Sequence, residues 1–295
     1  TVLSYGFPYK EAPKTYIRKL TLAPSVEAFQ LLRKGDSITL TWELSEIDAA
    51  DFSECVQRTW EYCYDTNHPQ PVNTPYTVDR MKDVLSNFFV ESYVNTTPTH
   101  YYSGVELKTA TCDNTDVAEV GFVGRTLLNA FNALEYGSLQ NRPELVNSAN
   151  SIFDTYLTNG FSPAGFFNEV VHYNRDFKES NLSIRRQTEG VYAILNYLDY
   201  EKQHKRKHPE WEKRLKVILD SFLRLQNADG SFPRKFKDDF SIVDGTGGST
   251  PSATLPLVMA YKYFKDKRYL ESAKRTVNYL ENELISKSDY FSSTL

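Results

Sequence analysis

Cysteine is scarce in this chain. Three residues, Cys55, Cys63 and Cys112, are spread over 295 positions. The count is odd and no CxxC pair occurs, so neither a disulfide framework nor a thiolate metal site is expected. The three read as buried thiols. Histidine is nearly as rare, at five residues, and no HExxH pair occurs, which speaks against a zincin. His204 and His208 stand four apart, but in a lysine-rich stretch, KQHKRKHPEW, that reads as an exposed helix end and turn. Basic excess is also missing. The formal net charge is -4, which argues against nucleic acid as a partner. No run approaches the roughly 18 consecutive apolar residues of a membrane span. There is no GxSxG elbow and no P-loop, and nothing in the sequence calls for a cofactor.

Aromatic residues, by contrast, are plentiful: 20 Tyr, 18 Phe and 3 Trp. Aromatic side chains dominate core burial, so most of them read as packing material. The remainder are candidates for a wall of stacking platforms.

The first fifty residues differ from the rest. TYIRKLTLA and DSITLTWEL alternate apolar and polar residues, with Lys34-Gly35-Asp36 turn chemistry between them, and read as strands. Two or three strands make no core of their own, so residues 1–50 are an N-terminal β segment or the edge of a β-domain. From about Ala50 the period changes to that of helices, beginning with DFSECVQRTWEYCY and TVDRMKDVLSNFFVESYV. The spacing predicts a nearly all-apolar helix from Val117 to Leu134, followed by one with Leu145, Ala149, Ile152 and Tyr156 on one stripe. A second pair carries Val191, Ile194, Leu195 and Leu198, then Trp211, Leu215, Ile218, Phe222 and Leu225. A third is TPSATLPLVMAYKYF, then Tyr269, Ala273, Val277, Leu280 and Leu284. The repeat is roughly 60–70 residues long, the mark of stacked supersecondary units. Within each pair the turn is short. Between pairs the connections are long, and they gather at the opposite end.

One of those connections begins QNADGSFP, residues 226–233. Asp-Gly supplies the positive-φ turn that stops a helix. Ser-Phe-Pro then runs extended, because the residue before proline is pushed out of the α region. Outer helix, LQNADGSFP, and a loop leading into DGTGGSTPSATLPLVMAYKYFKDKRYLESAKRTVNYLENEL resemble the six-hairpin glycosidase superfamily. The same turn is similar to one in terpene-cyclase toroids, so it marks architecture rather than chemistry. The resemblance implies a mainly α fold, an (α/α)6 toroid over residues 51–295, and action on poly- or oligosaccharides. A full ring needs more hairpins than the three read here. Further helices beyond residue 295, or a partner chain, are therefore expected to complete it.

In such toroids the pocket is ringed by the starts of the inner helices, and three entrances are readable. TATCDNTDVAEVGF offers Asp116 and Glu119 as a capping box and leaves Asp113 as the freer acid/base candidate. NEVVHYNRDFKESNLSIRRQTEGVY offers Glu169, His172, Tyr173, Arg175, Arg185, Arg186 and Glu189. Arginine presents a fork suited to carboxylates, and glutamate can act as a general acid. KFKDDFSIVDGTGGSTPSATL offers Asp244 before a permissive glycine loop, with Thr250 as helix cap and Pro251 at the first helical position.

Glycoside hydrolysis normally uses two carboxylates. Asp113, Glu169, Glu189 and Asp244 are the catalytic candidates. Phe166, Phe167, His172, Tyr173, Arg185, Arg186 and Phe232 are the substrate-binding candidates. A hydrolase is the leading expectation. A polysaccharide lyase with Tyr173 or His172 as base, and a non-catalytic glycan-binding or assembly protein, are the alternatives.

Overall fold

A computed structural model describes residues 10–11, 15–16, 21–22, 26–27, 31–41, 44, 46–71, 74–103, 117–121, 125–173 and 181–286. The chain divides into two compact units, Thr1–Thr77 and Val78–Thr294.

In the first unit β1 (Lys10–Glu11), β2 (Thr15–Tyr16), β3 (Thr21–Leu22) and β4 (Val26–Glu27) form two antiparallel pairs, β2 with β3 and β1 with β4. TYIRKLTLA is therefore a hairpin, not one strand. The strand expected at DSITLTWEL does not form over residues 36–41. The turn between them does form: Gly35 has φ +101 and the Asp36 N–H donates to the Arg33 carbonyl at 2.9 Å. The helix α1 (Phe52–Asn67) starts at Asp51, whose carboxylate accepts the Glu54 N–H. It buries no residue. Cys55 is accordingly half exposed and Cys63 exposed, against the expectation of buried thiols; Cys112 lies outside the described residues.

The second unit opens with α2 (Val78–Glu91) and the hairpin β5 (Tyr93–Val94) and β6 (Tyr101–Tyr102). The segment 117–123, expected to begin a helix, instead provides β7 (Val117–Glu119), and α3 runs only over Thr126–Leu139. A short apolar run reads the same to a periodicity test whether it is a buried strand or a helix turn. The remaining elements are α4 (Pro143–Asn159), β8 (Val170–His172), β9 (Leu182–Ser183), α5 (Ile184–Gln203), α6 (Pro209–Leu225), β10 (Lys235–Phe236), β11 (Ile242–Asp244), α7 (Pro251–Phe264) and α8 (Lys267–Tyr279).

Packing follows the hairpin pattern. α3 lies on α4, α5 on α6, and α7 on α8. α3, α5 and α7 adjoin one another in sequence as one layer. In the other layer α2 adjoins α4, and α6 adjoins α8. The reason is in the side chains. α6 puts Trp211, Leu215, Ile218, Phe222 and Leu225 on one buried stripe, whereas α5 buries residues on most of its faces. Such alternating layers of helical hairpins are an α/α toroid arrangement.

At the long-loop end, short strands sew the helix entrances together. β7, ahead of α3, pairs with β8, ahead of α5, with Glu119 opposite Val170. β9, immediately ahead of α5, pairs with β10, and β10 with β11, both ahead of α7. The QNADGS turn is fixed in the same way. The Gly230 N–H donates to the Asn227 carbonyl, and Asp229 Oδ1 accepts from both the N–H and the hydroxyl of Ser231. Gly230 has φ +93, and a Cβ there would lie 2.1 Å from the Arg275 carbonyl oxygen. Glycine is thus needed both for the turn and for its close approach to α8. The Gln226 amide completes the joint, donating to the Ser272 carbonyl at 3.0 Å and accepting from the Ser272 hydroxyl at 2.8 Å.

Candidate functional site

Where α3, α5 and α7 begin, their facing sides leave a cavity of about 310 Å³. α3 contributes Leu128 and the residue before its start, Arg125. α5 contributes Thr188, Glu189 and Tyr192. α7 contributes Pro251, Ser252, Leu255 and Pro256, and Val120 closes the edge after β7. The walls are largely apolar, with a few convergent polar groups, as ligand sites usually are. A hydroxyl chain crosses between α5 and α7. Thr188 Oγ1 lies 3.0 Å from Ser252 Oγ, and Ser252 in turn donates to the Ser249 carbonyl at 2.7 Å. Among the described residues the Tyr192 hydroxyl has no hydrogen-bond partner, so it can address a ligand.

Glu189 is the one carboxylate among the described residues that line this cavity. Its side chain is 23% exposed and stands between two guanidiniums. Arg185 Nε donates to Oε1 at 3.2 Å, a helical i,i+4 pair, and Arg125 Nε lies 3.8 Å from Oε2. The backbone at Arg125 is left-handed, φ 42 and ψ 43, an unfavourable state for a side chain of this size. Gly121 makes the arrangement possible: a Cβ there would lie 3.0 Å from both Glu189 Oε2 and Arg186 Cα.

Glu169 is placed differently. It is 2% exposed and holds the start of α5. Its Oε1 accepts the Ser183 N–H at 2.5 Å and the Gln187 side-chain amide at 3.1 Å, while Arg186 Nη1 stands 3.7 Å from Oε2. Gln187, fully buried, also grips both the N–H and the carbonyl of Phe167. Asp244, on β11, accepts from the hydroxyl and N–H of Thr246 and from Arg234 Nη1 at 2.7 Å. The Thr246 hydroxyl, then its N–H, then Arg234 hold the Asp244 carboxyl down to about 2. Neither residue lines the cavity. Asp113, Asp116 and Arg175 lie outside the described residues, and Glu119 sits in β7 rather than in a helical capping box.

Several binding candidates belong to the core. Phe166, Phe167 and Phe232 are each 0% exposed and present no face to a ligand. Each follows a turn and drives inward, because an aromatic side chain gains most from full burial. Tyr173 stacks on Tyr101 with ring centroids 4.9 Å apart and donates to the Thr99 carbonyl at 2.6 Å. Burial pushes its hydroxyl well above the ordinary tyrosine range, which unfits it as a base. His172 lies on β8 opposite Val117 and is half buried. Thr250, expected as a capping side chain, is itself helical; its hydroxyl accepts the Phe232 N–H at 2.9 Å.

Of the arginines and glutamates picked from sequence, the structure therefore brings Glu189 to the cavity, with Arg185 against it. Arg125 and Tyr192 carry no motif. A cation immediately ahead of an inner helix, and a tyrosine one position before the end of the next helical turn after Glu189, were the available signals. Among the described residues no group of His, Cys, Asp and Glu is disposed to hold a metal ion.

No family model and no curated protein matches this chain. Solved structures do. A possible member of the GH105 family from Salmonella enterica serovar Paratyphi A superposes with TM-score 0.57 at 14% identity, over 77% of this chain and 57% of that one. A D-mannose isomerase superposes with TM-score 0.55 at 11% identity, over 73% of this chain and 54% of that one. A possible GH105 member from Klebsiella pneumoniae gives TM-score 0.53 at 13% identity. The chain spans little more than half the length of these proteins. What the chain shares with these structures is thus the fold, an α/α toroid of helical hairpins.

Proposed function

We propose that this protein is a carbohydrate-active enzyme that binds a saccharide in the cavity at the starts of α3, α5 and α7, and that it is a glycoside hydrolase with Glu189 as its acid/base group. The observation that carries the reading is the single cavity carboxylate, set beside the hydroxyls of Tyr192, Thr188 and Ser252. Sugars present flat apolar faces edged by hydroxyls. An apolar wall with a tyrosine and a few hydroxyl and carboxylate groups matches both features. Proton transfer by a positioned carboxyl contributes typically about 10²–10⁴-fold to rate. The similar toroid enzymes support the carbohydrate class. The hydrolytic step rests on Glu189.

A second reading has its own support. No second carboxylate lines the cavity among the described residues, and Glu189 is held by two arginines. A non-catalytic glycan-binding protein would have this arrangement. The lyase alternative has less behind it, since the Tyr173 hydroxyl is committed to Thr99.

The test is a panel of neutral and acidic oligosaccharides, assayed for new reducing ends with the wild-type chain and with Glu189→Gln. Hydrolysis predicts release that falls by about 10²-fold or more in the variant. Binding without release by either protein would transfer the reading to the glycan-binding class.

A further inference from the structure

Helix α7 carries two prolines, Pro251 and Pro256, and both line the cavity. They differ in what they cost the helix. Pro251 is its first residue, where an N–H would have no partner within the helix in any case. Pro256 is its sixth, inside the hydrogen-bonded ladder. It has no N–H to give the carbonyl four residues earlier, which is that of Ser252. Among the described residues no side chain donates to that carbonyl in its place. A helical carbonyl points along the axis toward the residue four further on, so this one lies on the strip between Ser252 and Pro256. Both of those residues line the cavity. Backbone carbonyls are obligatory acceptors and are ordinarily paired when water is kept from them. An aliphatic residue at position 256 would wall the cavity equally well and leave the ladder whole.

Resting on the saccharide reading above, we infer that the main-chain carbonyl of Ser252, released by Pro256, is a binding group of the cavity: it accepts a hydrogen bond from one sugar hydroxyl and selects saccharides in which that hydroxyl is present and free. The side chain of the same residue sharpens the requirement. Its single hydroxyl proton is spent on the Ser249 carbonyl at 2.7 Å. Ser252 therefore offers the ligand acceptor atoms, and only a donor can pair with its carbonyl. A deoxygenated or O-substituted sugar has no proton to give at that position.

The experiment is calorimetric titration of the wild-type chain and of Pro256→Ala with glucose, galactose and mannose, and with the monodeoxy analogues of each. At least one of the sugars is expected to bind the wild type, and loss of one particular hydroxyl to weaken it about tenfold. Pro256→Ala supplies the missing N–H and closes the ladder over the carbonyl. It is expected to raise the thermal midpoint yet weaken the parent sugar by about the same factor, with no further loss for that one analogue. A packing role for Pro256 would instead give a lower midpoint, or an equal loss for the parent and every analogue. Either of those results overturns the inference and leaves the saccharide reading standing. So does unchanged parent affinity in the variant, or a wild type that binds every analogue as tightly as its parent. Failure of the folded wild type to bind any of the sugars overturns both.

Discussion

At Glu201, near the end of α5, a carboxylate with a 5% exposed side chain takes three donors from the short turn into α6. Arg206 donates Nε and Nη2, at 2.7 and 2.5 Å, and His208 Nε2 lies 2.7 Å away. Burial alone would raise this carboxyl. The hydrogen bonds from Arg206 and His208 outweigh it and hold the group below the ordinary glutamate range. The folded state therefore binds the proton more weakly than the unfolded chain does. The stabilisation is complete above the unfolded value of about 4.3 and is lost as pH falls through the lowered folded one. Glu201→Gln is expected to cost about 1.5–3 kcal/mol in denaturant unfolding at neutral pH. The cost should shrink in acid, and a pH-independent difference would show that the clasp is not ionic. Asp244 follows the same sign: its contribution is present above about 3.9 and disappears as pH falls toward about 2. Both residues show how little a carboxylate's position in sequence says about its use. Glu189, Glu201 and Asp244 all sit at helix or strand ends among basic neighbours, and only the fold separates the one in the cavity from the two that hold turns.

At the element scale the hairpins are set by their turns. Each short turn contains a left-handed residue that is not glycine: Asn141 at φ 54, Lys205 at φ 62 and Lys265 at φ 61. Left-handed backbone costs a residue with a Cβ roughly 1–2 kcal/mol. Lys265→Gly relieves that cost where the Lys265 N–H already caps α7 through the Tyr261 carbonyl. It is expected to raise stability by about 0.5–1 kcal/mol once glycine's own entropy is charged. At the other end, Gly230→Ala brings a Cβ against the Arg275 carbonyl and forces positive φ on alanine. A loss of about 3 kcal/mol is expected, read as a lower denaturation midpoint; a neutral result would mean that α8 moves freely away from the turn. These elements were legible because their signals are local. The 4-3-4-3 spacing of α6 and the Asp-Gly stop after it are written within a few residues. β7 was not legible, since Val117–Glu119 pairs with a strand more than fifty residues away and its apolar run continues into that of α3. Arg125 and Tyr192 were missed for the same reason: they become a site only when three helix starts meet.

On the scale of the whole molecule, burial is unevenly divided. Every buried hydrophobic residue among those described lies at or after Val94, within the unit that begins at Val78. The first unit's helix α1 buries nothing, and leaves Phe52, Trp60 and Tyr64 between 64% and 80% exposed. The segment between α1 and α2 is exposed at all its described positions. Hydrophobic burial is the dominant favourable term in folding, so the cooperative transition belongs to the second unit. Limited proteolysis with chymotrypsin or trypsin is expected to cut between Asn67 and Val78, where the described residues are exposed and lie outside any helix or strand. Mass spectrometry should then find a resistant fragment beginning near Val78. Because that fragment keeps the stacked pairs α3–α4, α5–α6 and α7–α8, its helical circular dichroism should melt cooperatively within a few degrees of the intact chain. A fragment that melts gradually, or that is degraded as fast as it appears, would show that the first unit supplies stability the second lacks.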